Sequence, residues 1–403
     1  MKPLQVGLIG IGGWGKLHVG MIAELAREGL IHCAAYCEPY ADRFGEQAQT
    51  LNSLGAAHYT DYQDMLKHPG LDFAVVATPI PLHKRMCIDA LQLGVPVLLE
   101  KPPAVTIEDL DEMIEVQSRT GVPAAVQFQN TSGKAFRQLL SELREGRIGK
   151  IMNVTAVGMW KRSEKYYSRT YWAGAIRYRG EYVLDGTLLN PFSHLLHNAF
   201  VAAGAGDPAA AEPVTVQAEL YKGHRIESED TAAVRIRAKN GVSLHIYTTL
   251  CHDKSEIPYI DIEGESGRMR WYYNHRLHYA SSAGQEEELV FEDEKLVRNM
   301  YLNMIRHLRG EEESLFCPLQ NSRSMLLAAN GAFTSSGIIR AVPEEQVKQL
   351  PEDDTTFAVI DGIDKIIAEA SIGRKLFSEI GVPWAVHTPE IEMVRYRKLQ
   401  LAL

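Results

Sequence analysis

The chain is poor in cysteine, has no excess of basic charge and contains no long apolar run. Five cysteines in 403 residues, an odd number with no C-x-x-C pair, fit a reducing compartment better than a disulfide framework. Cys33 and Cys37 share a strand face and read as core. Lysine and arginine number 42 against 51 acidic residues, and the resulting net charge of −9 argues against a nucleic-acid partner, which calls for a basic face. A membrane span would need about 18 consecutive apolar residues, and no such stretch occurs. Lys2 ahead of an apolar stretch has the outline of a secretory signal, but glycines interrupt it. These absences point to the cytoplasm, with no nucleic-acid and no membrane partner. No internal repeat is found.

What is present is the composition of a globular protein, 45% hydrophobic and 23% charged, in a chain too long for one ordinary core. Two domains are expected, residues 1–128 and 129–403. In the first, strands at Gln5–Ile9, Ile31–Cys37, Phe73–Ala77 and Pro96–Leu99 alternate with helices at Lys16–Arg27, Arg43–Gln49, His83–Gln92 and Ile107–Thr120. Val122–Phe128 closes the series. Near-continuous apolar strands separated by helices imply a doubly wound parallel sheet, an α/β Rossmann domain. Beyond a helix at Lys134–Glu145, the strand-like segments Ile151–Met159, Val214–Tyr221, Thr231–Ala238, Val242–Leu250, Tyr259–Glu263 and Met269–Tyr273 alternate, and Asn240-Gly241 marks a hairpin. This predicts an α+β domain with an open, mostly antiparallel sheet and helices on one side. Ala202–Glu212 reads as a flexible loop and Glu344–Asp354 as an acidic, solvated connection.

The most informative segment is Gly10-Ile11-Gly12-Gly13-Trp14-Gly15, which follows the first strand and opens the first helix. Its glycines suit a tight turn, a close backbone approach to a pyrophosphate and close helix–strand packing, and the helix N-terminus offers N–H groups to phosphate. Glu38 ends the second strand, about twenty residues on, where a carboxylate accepts hydrogen bonds from an adenosine ribose. The competing reading is a glycine-rich surface turn beside an unrelated acid. Glu38 favours NAD over NADP, since it repels a 2′-phosphate. Arg43 pulls the other way, because it can pair with that phosphate or stack on adenine.

Thr78-Pro79 ends the third strand, at the sheet edge where such folds bind ligands. Glu100-Lys101-Pro102-Pro103 ends the next. The proline disfavours helix at Lys101, leaving it extended at the strand tip, either facing the nicotinamide end or as a surface lysine before a turn. In Asp185-Gly186-Thr187-Leu188-Leu189-Asn190-Pro191-Phe192-Ser193-His194, Asn190 reads as an N-cap with Pro191 at the first helical position. His194 then lies in the first turn, with His197 and Asn198 on or near its face. The helix dipole there favours a neutral imidazole able to act as a base; a satisfied interior histidine is the alternative. A zinc site at His194 and His197 lacks a third ligand, and no metal is expected.

The pattern Gly10-x-Gly12-x-x-Gly15-x-x-His18, Glu38, Thr78-Pro79 with His83, Glu100-Lys101-Pro102, Gly146-x-x-Gly149 and Asn190-x-x-x-His194 resembles the Gfo/Idh/MocA oxidoreductases, through the first half of the chain and in family order. Gly381-Val382-Pro383-Trp384 also resembles some members. The resemblance implies NAD(P)-dependent oxidation of a hydroxyl on a sugar, polyol or related compound. It places Lys101, Asn190 and His194 around the reacting carbon, and the loop 10–15, Glu38, Arg43, Thr78, Pro79, His83, Glu100 and Lys101 around the cofactor. Asn190 stands where an aspartate is frequent, and Asp185-Gly186 where Gly-Gly is. An asparagine cannot neutralise a histidinium, a charge that Asp185 would have to supply. Tyr166, Tyr167, Arg169 and Trp172 suit a sugar-binding loop or a packed aromatic cluster, and His197 is a further substrate candidate. A homodimer or homotetramer is implied. The rival functions are a redox-neutral NAD-dependent glycosidase on the same fold and a non-catalytic, cofactor-sensing binding protein.

Overall fold

Short strands of buried apolar residues, each followed by a helix, build the first half of the chain. The computed structural model describes residues 2–292 and 294–401. These form two compact units: residues up to Ala104 with Asp109–Ser132 and Lys295–Gln320, and Val105–Glu108 with Gly133–Glu294 and the residues from Asn321 onward. The sequence reading places one cut after residue 128, whereas the units interleave. The reason is a helix at Leu296–Leu308 whose Tyr301, Met304 and Ile305 form one apolar stripe and join the core cluster of the first unit.

In the first unit the order is β1 (Leu4–Ile9), α1 (Gly15–Arg27), β2 (Ile31–Cys37), α2 (Gly45–Ser53), β3 (Ala57–Tyr59), α3 (Tyr62–Leu66), β4 (Phe73–Val76), α4 (His83–Gln92), β5 (Val97–Leu99), α5 (Ile107–Thr120) and β6 (Ala124–Val126). The sheet runs β3-β2-β1-β4-β5-β6, every pairing parallel. Its strand order reverses between β1 and β4, which opens a crevice at the carboxyl ends of those strands. Residues β3 and α3 escaped the sequence reading because they are short; Asp61 caps α3 by accepting the Gln63 N–H at 2.7 Å. The helix expected from Arg43 starts at Gly45, after a 3-10 turn at Ala41–Phe44.

The second unit continues with α6 (Lys134–Arg144), β7 (Ile151–Met159), α7 (Glu164–Tyr167), a small hairpin of β8 (Arg177–Tyr178) and β9 (Glu181–Tyr182), then α8 (Ser193–Ala203). Strands β10 (Pro213–Lys222), β11 (Thr231–Ala238), β12 (Ser243–Thr249), β13 (Tyr259–Gly264), β14 (Gly267–Tyr272), β15 (Arg276–Ser281) and β16 (Glu286–Val290) follow. Past α9, the helix of the first unit noted above, come α10 (Arg323–Ser336), β17 (Arg340–Ala341), β18 (Val347–Glu352), β19 (Thr355–Ile360), α11 (Ile363–Gly373) and β20 (Ile391–Glu392). The large sheet runs β16-β15-β14-β13-β7-β12-β11-β10-β17, with β20 also on β10. It is antiparallel except where β7 meets β12 and β10 meets β17. The sheet is therefore open and mostly antiparallel, as expected.

Two expectations fail here. Helices cover both faces of the large sheet, because alternate residues of β7 are apolar on both sides. Gly158 packs against Phe192 at the start of α8, while Val157 joins a cluster with Tyr247 and with Ile363, Ile367 and Ala370 of α11. Within the supposed solvated connection, Val347–Glu352 pairs with β19 as a hairpin turning at Asp353, which takes a φ of 51°. Its residues are mostly exposed, so no buried face betrayed it in the sequence. The presumed loop after Ala202 starts one residue later, since α8 runs through Ala203. Among the described residues no helix is long and apolar enough to cross a membrane.

The β1–α1 junction sets the geometry that matters most. Gly10 has φ 89° and donates its N–H to the Cys37 carbonyl at 2.9 Å. A Cβ on Gly15 would lie 2.4 Å from the Gly10 carbonyl oxygen. Gly15→Ala is therefore expected to destabilise the chain by about 1–3 kcal/mol, since backbone must move. Gly20, on the exposed side of α1 with open space where a Cβ would be, gives the opposite result: Gly20→Ala is expected to stabilise by about 0.5–1 kcal/mol. Urea unfolding of both variants measures the difference, and equal effects would mean the turn is loosely packed.

Candidate active site

In the first unit, the residues read as cofactor-binding, His83 at the start of α4 apart, follow the carboxyl end of a strand or lie in the turn it leads to. Gly10–Gly15 follows β1, Glu38 and Arg43 follow β2, Thr78 and Pro79 follow β4, and Glu100 and Lys101 follow β5. These strands are parallel neighbours, so the residues share one edge of the sheet. Ile11 is fully buried, whereas Gly13 and Trp14 are exposed at the N-terminus of α1. Nothing lies within 4 Å of where a Gly13 Cβ would stand. The Phe44 ring sits 2.5 Å from the corresponding position at Gly12. The buried Glu38 carboxylate accepts the N–H of Ile11 at 3.4 Å and that of Tyr40 at 3.1 Å, which ties it to the phosphate-binding turn. Arg43 is exposed, with its guanidinium 4.7 Å from the centroid of the Tyr40 ring. An open turn at a helix N-terminus, with an acid fixed beside it, is a donor and acceptor set that fits a dinucleotide.

Two residues expected to touch the cofactor turn inward instead. His83 is buried, with Nδ1 2.8 Å from the Pro102 carbonyl and Nε2 2.8 Å from that of Thr78. Burial keeps its pKa below the ordinary value, so the neutral ring donates to one carbonyl at a time and links the two loops. Glu100 is buried too: Oε1 accepts from His18 Nε2 at 2.9 Å, and Oε2 accepts the Lys101 N–H at 3.1 Å. His18 Nδ1 lies 2.8 Å from the hydroxyl of Tyr301 on α9. Lys101 itself is half-buried at a bend, and its peptide bond to Pro102 is cis.

In the second unit the organising group is Asp185. Its carboxylate is almost wholly buried and accepts from Arg169 Nη2 at 2.7 and 3.0 Å, from the Gly174 N–H at 2.7 Å and from Asn190 Nδ2 at 2.5 Å. Two corrections follow. Asn190 does not cap the helix, because its side chain is drawn to Asp185; α8 begins at Ser193 with Phe192 at the capping position. The charge of Asp185, assigned from sequence to balance a histidinium, is already matched by Arg169. That guanidinium is 3.9 Å from the Tyr166 ring centroid and 5.5 Å from that of Trp172, so the loop is a packed cationic and aromatic cluster.

His194 lies in the first turn of α8, as the sequence implied, and it alone among the helix residues is not buried. His197 is fully buried, and burial pushes its pKa down to about 4. It belongs to the interior, which removes it as a substrate contact. The Tyr167 hydroxyl is also buried, without a hydrogen-bond partner, and its ring lies 4.9 Å from that of His224; burial pushes its phenol pKa up. It packs inward rather than presenting a polar tip.

Sequence reading missed Glu229. This fully buried carboxylate accepts the Leu188 N–H at 3.0 Å and the Ser228 hydroxyl at 2.7 Å, and its own carbonyl takes the Thr187 N–H at 3.0 Å. Burial pushes its pKa up to about 7. A Cβ on Gly186 would fall 2.0 Å from its carboxylate oxygen, which is the reason for glycine there. No local signal connects residues so far apart in sequence. Among the described residues, His224, Asp230 and Cys251 group within metal-binding reach. Nevertheless, Asp230 already accepts from His224 Nδ1 at 2.8 Å, from the Gly223 and His224 N–H groups and from Thr231. Burial opposes charge on both groups, but their mutual hydrogen bond outweighs it, raising the His224 pKa and lowering that of Asp230. The arrangement is that of a buried ion pair. Among the described residues, His194 and His197 belong to no such group.

Comparison with known proteins places this geometry. Residues 4–128 match the model of an oxidoreductase family with an NAD-binding Rossmann fold, and residues 136–270 match the GFO/IDH/MocA C-terminal domain. A glycosyl hydrolase family 109 protein of Saccharopolyspora erythraea is 27% identical over 46% of this chain and 42% of its own length. The inositol 2-dehydrogenase of Corynebacterium glutamicum is 28% identical over 38% of this chain and 44% of its own. The chain thus spans under half the length of these relatives. Among solved structures, the WlbA dehydrogenase of Bordetella pertussis, in complex with NADH and UDP-GlcNAcA, is 25% identical with a TM-score of 0.67, covering 83% of this chain and 96% of its own. With both models matched in order, the chain belongs to the GFO/IDH/MocA oxidoreductase family, and its first unit is that family's NAD-binding Rossmann fold.

Proposed function

We propose that the protein is an NAD-dependent dehydrogenase that oxidises a hydroxyl of a sugar, polyol or related compound. The observation that carries this reading is the shared sheet edge, where the glycine-rich turn, Glu38, Thr78 and Lys101 follow adjacent parallel strands. Bound NAD would supply a nicotinamide carbon that accepts hydride. The N–H groups at the start of α1 bind its phosphates, and Glu38 accepts from its ribose hydroxyls. His194 takes the proton of the substrate hydroxyl, and the ammonium of Lys101 stabilises the developing alkoxide. Asn190 orients that hydroxyl. Asp185 is a positioning residue that holds Asn190 and Arg169, while Arg169 and Trp172 provide polar and aromatic surface for a carbohydrate. The reading includes a homodimer or homotetramer in the cytoplasm, in keeping with five free and buried cysteines.

A second reading, the redox-neutral NAD-dependent glycosidase, is favoured by the relatives among family 109 glycosyl hydrolases. A panel of polyols, sugars and N-acetylaminosugar glycosides separates the two. Bulk NADH formation supports the dehydrogenase, whereas glycoside cleavage without NADH accumulation supports the glycosidase.

Three outcomes are expected. NAD binds more tightly than NADP, and Glu38→Ala weakens NAD by roughly 10–100-fold, the scale of hydrogen bonds to a charged group; fluorescence titration measures both, and tighter NADP binding by the parent protein would overturn the assignment. Lys101→Ala lowers turnover by roughly 10²–10³-fold with little change in NAD affinity, as for loss of one donor to a developing oxyanion. Turnover within a few-fold of the parent would leave Lys101 a surface residue. Oxidation falls as pH drops and the His194 imidazole takes up a proton, and His194→Asn removes this limb and most activity while NAD still binds. An unchanged pH–rate profile would assign the base elsewhere.

A further inference from the structure

Lys101 is held at its backbone by a carboxylate that is itself held from behind. The Glu100 side chain is 7% exposed, and one of its oxygens accepts the N–H of the very next residue, Lys101. Its other oxygen is met by His18 Nε2. An ionised carboxylate only accepts, so His18 carries a proton on Nε2. In the neutral ring Nδ1 then offers a lone pair, and the Tyr301 hydroxyl, 2.8 Å away, is placed to donate to it. Burial holds the Tyr301 phenol pKa well above the ordinary value, which keeps that donor protonated. The three groups come from α1, the end of β5 and α9, with His18 and Tyr301 283 residues apart in the chain.

We propose that Tyr301, His18 and Glu100 form a positioning relay that fixes the Lys101 peptide, with Tyr301 setting the tautomer through which His18 holds the carboxylate. Its catalytic meaning rests on the reading of Lys101 as the alkoxide-stabilising group; its structural content does not. Without the His18 donor, a buried carboxylate oxygen is left unsatisfied, and the side chain must swing out or take a proton. Either change loosens the Lys101 N–H. The relay makes α9 part of the cofactor-binding unit's working parts rather than packing alone.

The test uses the full chain labelled with ¹⁵N-lysine and compares amide exchange at Lys101 with that at Lys84, which lies on α4 of the same unit. His18→Leu is expected to speed exchange at Lys101 at least 10-fold while Lys84 changes less than 3-fold. His18→Gln, whose amide both donates and accepts, restores protection. Tyr301→Phe gives an intermediate acceleration, and ¹⁵N-histidine spectra show loss of the fixed Nε2–H tautomer. Equal acceleration at Lys101 and Lys84 would reduce the three groups to general packing and overturn the proposal, as would unchanged exchange at Lys101. NADH titration of each variant is expected to stay within 3-fold of the parent. Turnover of Lys101→Ala is measured alongside, so an active Lys101→Ala defeats the functional reading while the exchange data still decide the relay.

Discussion

A carboxylate taken out of water must have its oxygens met by donors, and both candidate site segments are built around that constraint. Glu38 is met by the N–H groups of Ile11 and Tyr40, Glu100 by His18 and the Lys101 N–H, Asp185 by Arg169, Gly174 and Asn190, and Glu229 by Leu188 and Ser228. In each case at least one donor is the backbone of a loop. The acids therefore act as staples that fix irregular chain, which lacks the ladder bonds that hold strands and helices. Removing such an acid costs more than one interaction, because the loop N–H groups it satisfied are left without a partner.

Buried groups also account for two glycines outside the phosphate-binding turn. Gly186 exists because the Glu229 carboxylate occupies the place of its Cβ, and Gly223 because Cys251 Sγ lies 2.8 Å from that point. At the β1–α1 junction two close contacts are made by backbone instead, with Gly15 against the Gly10 carbonyl and Gly10 against that of Ala77. The phosphate-binding turn is shaped by strand–helix packing, and the loop at Gly186 by a buried acid. The division matches their proposed work: a dinucleotide asks for a standard turn at a helix end, while a carbohydrate asks for donors and acceptors placed on loops.

Lys101 and His194 illustrate how position confers chemistry. Lys101 follows a strand of the parallel sheet and is bound at its N–H by a fixed acid, so its backbone is anchored while its side chain is half-buried. His194 is the one residue of α8 with access to solvent, in a helix otherwise buried along its length. A histidine of this kind can exchange protons, whereas His197, one turn later and fully enclosed, is held neutral. The two residues are indistinguishable by type and differ only in what surrounds them.

The sequence by itself determined the parallel sheet and its helices, the phosphate-binding turn, Glu38, the lysine at the end of β5 and the histidine in the first turn of α8. These signals are local: apolar runs, glycine spacing and an acid or lysine at a strand tip are set by neighbours a few residues away. Tertiary structure decided the rest. It turned His83, Glu100, Tyr167 and His197 inward, gave Asp185 an arginine partner and drew Asn190 away from its expected cap. It brought Tyr301 to His18 and Glu229 to Gly186 across long stretches of chain. Side-chain orientation and long-range pairing depend on which buried donors and acceptors remain to be satisfied once the elements pack, and that accounting is absent from the spacing of residues along the chain.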